Sequence, residues 1–215
     1  MLTLIRAGLY TSVQDGGREG LRQSGISRCG ALDYPSLVIA NLLVGNEANA
    51  AGLEITLGQV EIEFARSGWF ALTGAACEAT LDGKAVWVGW RTAYRAGQRL
   101  VLKTPQHGIR SYLAVAGGIA VPEVLGSRCT DLKAGIGGLE GRRLQDGDKL
   151  KLGKAARRFT TPRGVKHCRW ATAFVRCPGR STMNLTRPRR RHSGAPPGSS
   201  VRRVTAWGTA CRGSR

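Results

Sequence analysis

Along the first 153 residues, apolar and polar positions alternate in short runs, each closed by a glycine or a turn pair. LEITLG (53–58), VEIEF (60–64), GWFALTG (68–74), EATLDG (78–83), AVWVGW (85–90) and QRLVLKT (98–104) read as short strands. Leu2 to Ile5 and Ser12-Val13 read as an earlier strand region leading into the Asp15-Gly16-Gly17 turn. YPSLVIANLLV (34–44) breaks the alternation. Its apolar side chains at 37, 38, 39, 42, 43 and 44 stand behind a proline in the first turn and stop at Gly45-Asn46, which predicts a helix. IRSYLAVAGG (109–118) is apolar almost throughout, as a strand covered on both faces would be. KLKLG (149–153), after a DGD turn, is the last predicted strand. Many short strands at close spacing predict a mainly β fold of barrel or sandwich type with one short helix.

Charge divides the chain at Gly153. Residues 1–153 hold 17 Lys and Arg against 14 Asp and Glu, whereas residues 154–215 hold 16 basic residues and no acidic one. The basic excess of the whole chain is therefore a property of the tail, and nucleic-acid binding gains no support from the first 153 residues. RPRRRH (187–192) has no aromatic platform beside it, so the tail reads as a solvated, disordered segment rather than a nucleic-acid arm. The N-terminus lacks a long apolar stretch and no run approaches the length of a membrane span, which predicts a cytoplasmic protein with no membrane partner. Six widely spaced cysteines form no CxxC and meet no paired histidine, so reduced thiols and no metal are expected. There is no P-loop and no GxGxxG sequence.

Four stretches carry a family pattern: VQDGGREGLRQSGISRCGALD (13–33), LEITLGQVEIEF (53–64), GIRSYLAVAGGIAVPEVLGSRCT (108–130) and GGLEGRRLQDGDKLKLG (137–153). Together they resemble the N-terminal half of the biotin-dependent carboxyltransferase-like family, which includes the C subunit of 5-oxoprolinase, the KipI antagonist and allophanate hydrolase subunit 2. The resemblance spans nearly all of residues 1–153. It implies a cyclophilin-like β-barrel in a hydrolase subunit that works with A-like and B-like (KipI-like) 5-oxoprolinase partners, opening 5-oxoproline to glutamate with ATP used by the complex. Two alternatives come with it: a carboxyltransferase domain of a urea carboxylase-type system, which brings in biotin, and a non-catalytic regulatory partner of a KipI-like protein. Relatives often carry an acidic residue where this chain has Ala76, in TGAAC (73–77), which weakens any role for that loop.

The resemblance also implies a second half about as long again, where this chain has arginine, proline, serine and glycine instead. Back-translated with permitted codons and shifted by one register, Val175 to Thr186 reads ALPGPEYDEFD and Val204 to Gly213 reads DRMGNRLQG. Both strings resemble second-half motifs, fall in order and share one offset. Residues 154–215 are accordingly expected to be an out-of-frame tail, from a natural or sequencing frameshift, on a truncated and inactive polypeptide.

Six residues are candidates for substrate binding; no catalytic residue is assigned. Arg128, in a glycine-flanked loop, has the fork geometry to hold a carboxylate in two places. Asp15 and Arg18, in one turn, either bind substrate or brace each other. Asp33 stands where it would cap the helix or face a ligand. Glu54 and Arg110 are charges at strand positions that need a partner or a ligand. His107 reads as a surface residue, and Cys29, Cys77 and Cys129 as small buried side chains rather than nucleophiles.

Overall fold

The computed structural model describes residues 1–165, and the remainder of the expected tail, 166–215, lies outside the described residues. In chain order the elements are β1 (Leu2–Arg6), β2 (Tyr10–Gln14), α1 (Tyr34–Leu43), β3 (Gly52–Thr56), β4 (Val60–Phe64), β5 (Gly68–Ala76), β6 (Ala79–Leu81), β7 (Lys84–Val86), β8 (Trp90–Tyr94), β9 (Arg99–Leu102), β10 (His107–Val115), β11 (Lys149–Leu150) and β12 (Arg163–Gly164). They form two six-stranded antiparallel sheets, ordered β11-β1-β4-β9-β6-β7 and β12-β8-β5-β10-β3-β2. The mainly β fold with one short helix is the one expected.

One core lies between the sheets. In β4, Val60, Ile62 and Phe64 point inward and are buried, while Glu61 and Glu63 face out and meet Arg99 at 3.4 and 3.0 Å. The alternation seen in the sequence is this inside-outside pleat. Phe64 stacks on Phe70 and Tyr94 with ring centroids 5.7 and 3.8 Å apart, filling the middle of the core.

The second sheet is covered on its outer face too. Helix α1 begins where the Asp33 side chain accepts from the Ser36 N–H at 3.2 Å, with Pro35 in its first turn. It packs Ala40 and Val44 onto Ala71, Ala114 and Ala116, whose small side chains let the helix axis approach the sheet. Residues 111–115 of β10 are therefore buried on both faces, as their continuous apolar run predicts. Thr11, Ser12 and Gln14 of β2 are buried too, under the chain that follows β10, where Thr130 N donates to the Val13 carbonyl at 2.9 Å and Leu144 N to the Thr11 carbonyl at 2.8 Å; β2 is a strand too polar to be fully legible as one.

Two expectations are corrected. AVWVGW is two strands: β7 ends at Val86 and β8 starts at Trp90, because Gly89, at φ +85°, turns the chain from one sheet into the other. Residues 154–165, expected as the start of a disordered tail, pack on the second sheet. The Arg91 guanidinium lies 3.9 Å from the Phe159 ring centroid and 5.8 Å from that of Trp69, while Phe159 meets Trp69 edge-on at 5.9 Å. Arg91 Nε also donates to the Thr161 carbonyl at 3.1 Å, and β12 extends the sheet beside β8. Charge count alone cannot show this, because one aromatic among basic residues supplies the anchor.

Phe159→Ala is predicted to lower stability by about 1–2 kcal/mol, from lost aromatic and cation–π contact. Urea denaturation measures this, and an unchanged midpoint would refute the packing. Arg142 grips Asp148 in two places at 2.7 and 3.0 Å, which holds that carboxyl below its ordinary value of 3.8. A carboxyl depressed by folding stabilises the protein above its unfolded value, and this contribution disappears as pH falls below about 4. Asp148→Asn should therefore show a smaller drop in urea midpoint between pH 6 and pH 3 than the parent; equal drops would contradict the pairing.

Candidate functional site

Three loops meet over the β2–β3 end of the second sheet, and buried charge ties them together. The Asp15 carboxylate is buried and accepts three hydrogen bonds, from Gly17 N (2.8 Å), Ser127 Oγ (2.7 Å) and Arg128 N (2.6 Å). Arg18, also buried, reaches the same segment from the other side. Its Nε donates to the Val124 carbonyl (3.2 Å), Nη2 to the Cys129 carbonyl (2.8 Å) and Nη1 to Cys129 Sγ (3.0 Å). Asp15 and Arg18 thus do not brace each other, as one reading of the sequence has it; each braces the 124–129 loop. Gly137 sits against this arrangement at φ +72°, where a methyl group would strike the Arg18 guanidinium and the Cys129 carbonyl.

A second cluster forms on the outer face of the sheet. Glu54 is buried, accepting from Arg110 Nη1 at 3.0 Å through one oxygen and from Tyr112 Oη and Leu32 N, both at 2.8 Å, through the other. Arg110 Nη1 also donates to Thr56 Oγ1 at 2.9 Å. Tyr112 Oη accepts from Asp33 N at 2.7 Å. Burial, together with the Glu54 and Asp33 carboxylates, pushes the Tyr112 hydroxyl well above its usual range, so it remains a donor to Glu54. Glu54 and Arg110 are therefore each other's partners. The 30–33 segment joins the two clusters, since Ala31 N donates to the Asp15 carbonyl at 2.9 Å and the next residue, Leu32, binds Glu54.

Beside the first cluster opens a cleft of about 560 Å³, lined among others by Asp15, Asn46, Gly117, Glu123, Ser127 and Arg128. That volume suits a small metabolite. Asn46 shapes one wall by accepting from Gly117 N at 2.8 Å and donating to the Val115 carbonyl at 2.9 Å. Arg128 has its backbone fixed by Asp15 while its half-exposed guanidinium donates to the Val121 carbonyl (3.2 Å) and meets Glu123 at 3.3 Å. Of the six predicted residues Asp15 and Arg128 line this cleft, and Arg128 is the one of the two whose charged group is partly exposed. Arg18, Glu54 and Arg110 have partners within the fold for their charged groups, and Asp33 caps its helix.

Tyr112, Ser127 and Asn46 escape the sequence reading. Tyr112 lies inside an apolar run, and the hydroxyl and amide of the other two gain importance only through partners far along the chain. His107, the first residue of β10, is exposed, as expected. Cys129 is buried and Cys77 partly so, but Cys29, on the loop before α1, is exposed, contrary to expectation. Although Cys29 is exposed as a residue, partial desolvation of its thiol and a bond to Asp131 push it up to about 11, and burial raises Cys77, so both are poor nucleophiles. Among the described residues no group of three or more His, Cys, Asp or Glu side chains could hold a metal ion, and no helix is long and apolar enough to cross a membrane.

The carboxyltransferase domain family, subdomain A and B, matches residues 24–193. The chain is 66% identical to the C subunit of 5-oxoprolinase from Escherichia coli over 83% of its own length and 58% of that protein's. It is 43% identical to the corresponding 5-oxoprolinase protein of Haemophilus influenzae over 70% of its length and 49% of that protein's. Thus it spans about half the length of these relatives. Its fold superimposes on the crystal structure of K. lactis urea amidolyase with a TM-score of 0.69 at 36% identity, covering 70% of this chain and 9% of that one.

The bonding of Asp15 sets the tolerance of the site to substitution. Asp15→Ala strands the Ser127 hydroxyl and two N–H groups in a buried place and should cost about 2–4 kcal/mol, with Asp15→Asn costing roughly half as much. Chemical denaturation tests this, and a loss below about 1 kcal/mol for the alanine variant would show that the loop stands without the carboxylate.

Proposed function

The chain belongs to the carboxyltransferase domain family, subdomain A and B, and from that premise we propose that it is part of a 5-oxoprolinase, in which it acts with A-like and B-like partners. The observation that carries this reading is the 66% identity to the C subunit of a 5-oxoprolinase across most of the chain. In this reading the complex opens the lactam of 5-oxoproline to glutamate with ATP. The chain's lack of a P-loop or dinucleotide loop supports assigning ATP to the partners. The three cysteines among the described residues, Cys29, Cys77 and Cys129, are free, which suits the reducing cytoplasm.

The part played by this barrel follows from its cleft. Arg128 turns from Glu123 to the substrate carboxylate, offering two N–H groups to two oxygens. Asp15 acts from beneath as a positioning residue, fixing the Arg128 backbone so that the side chain starts from one place. Gly117 and Asn46 form the facing wall, close enough for backbone groups to approach a small ring. The likeness to urea amidolyase favours a second reading, in which the same arginine holds the carboxylate of carboxybiotin. Both readings use Arg128 for the same physical reason. The out-of-register origin of the tail belongs to the proposal too, and resequencing across codons 150–170 tests it.

Reconstitution tests the function. A purified polypeptide of these 215 residues should bind the partner proteins but release little glutamate. A completed chain, carrying the remainder of the E. coli relative after residue 165, should turn over 5-oxoproline with ATP. In the completed chain Arg128→Ala should lower kcat/KM by about 10–100-fold, mainly through KM, while Arg128→Lys recovers part of the loss. Partner binding without turnover by the completed chain would favour the regulatory reading, and an Arg128→Ala enzyme of normal KM would remove the arginine from the substrate site.

A further inference from the structure

A second cleft, of about 580 Å³, opens beside Phe159 and shares only the Gly153–Lys154 wall with the cleft that holds Arg128. Four cations line it: Arg66 from the β4–β5 turn, and Lys154, Arg157 and Arg158 from the segment after β11. The partly exposed rings of Trp69 and Phe159 lie among them. No carboxylate lines this cleft, and none of the four cations is paired with one among the described residues. Packing gathers this charge. Arg66 Nη2 donates to the Gly153 carbonyl at 2.6 Å and to the Leu152 carbonyl at 3.4 Å. Gly45, at φ +69°, admits the following segment, since a Cβ there would strike Phe159 and Arg157. Partial burial, and after it the Arg66 guanidinium, hold the Met1 ammonium below its ordinary value. Like charges collected in a cleft repel one another, and a bound anion removes that cost.

We propose that this cleft binds a nucleotide. Charge and shape identify the ligand class. Four cations with no acid among them call for an anion of more than one charge, which a phosphate chain supplies and a single carboxylate does not. The guanidinium groups offer paired N–H donors to phosphate oxygens, and Lys154 adds a point charge. The Trp69 and Phe159 rings meet at 77° with centroids 5.9 Å apart, leaving a corner where a flat base can stack on one ring and meet the edge of the other. The volume suits a molecule of that size. The lining contains no Asp, Glu or His, so its side chains offer no carboxylate to hold a metal ion and no base to direct a water, and the nucleotide is bound without being hydrolysed. This inference rests on the cleft alone. It does not depend on the 5-oxoprolinase reading, and it leaves the consumption of ATP with the partners.

Titration of ADP into the 215-residue chain, followed by calorimetry and tryptophan emission, tests the proposal. Binding should saturate with a Kd below about 100 µM. Adenosine, without the phosphates, should not bind, and pyrophosphate, without the base, should bind at least about fivefold more weakly than ADP. Arg157→Ser combined with Arg158→Ser, both exposed positions, should lower the ADP affinity by at least about tenfold. Arg189→Ser combined with Arg190→Ser takes the same charge from the basic tail, outside the described residues, and should leave the affinity within about twofold. Trp69→Phe should remove most of the emission change. Absence of saturable binding would overturn the proposal, and so would an emission change that survives Trp69→Phe. Equal losses in the two double variants would overturn it by assigning ADP to the tail, and pyrophosphate binding as tightly as ADP would overturn it by reducing the site to bare charge attraction.

Discussion

A carboxylate without water must be met by donors, and the architecture of the loop region follows from how Asp15 satisfies that demand. Its three donors come from its own turn and from residues more than a hundred positions later. None of the apolar side chains in the 16–33 loop is buried, so hydrophobic contact does little to hold it against the 124–129 loop. Directional bonds to buried charge replace the hydrophobic contact that holds the barrel. Arg18 repeats the solution with opposite sign, directing its donors to main-chain carbonyls and one sulfur. Glu54 does so a third time on the neighbouring strand.

Two kinds of order coexist in the domain and differ in how far a sequence reveals them. The barrel follows from local pattern: VEIEF alternates because its glutamates face water and its apolar residues face the core, and YPSLVIANLL lies between a capping aspartate and a glycine. The Asp33 cap and the double burial of β10 were legible for the same reason, since the signal lies within a few residues. The site is non-local. Nothing near Asp15 announces Ser127 or Arg128 as its partners, and nothing near Tyr112 announces that its hydroxyl links Glu54 to the helix entry. Sequence therefore named most of the charged residues of the region while misjudging their bonding, as with Asp15 and Arg18.

The boundary at Gly153 shows a related limit. Composition changes there, and the change in charge is real, yet the packing does not stop with it. Phe159 lies over Arg91 and Trp69, and β12 adds to the second sheet. Average charge describes how a segment meets solvent. Whether it folds back depends on a single side chain finding a place to lie.

The cleft walls are fixed from behind, by Asp15 under Arg128 and by Asn46 under Gly117. A small molecule arriving there would meet a frame whose conformational entropy was already lost when the protein folded. Its affinity would then be set by the few groups it touches, and little would be forfeited to ordering loops around it. In the proposed site such a frame would discriminate by shape and by the placement of oxygen atoms, and it would reject a bulkier acid instead of yielding to it.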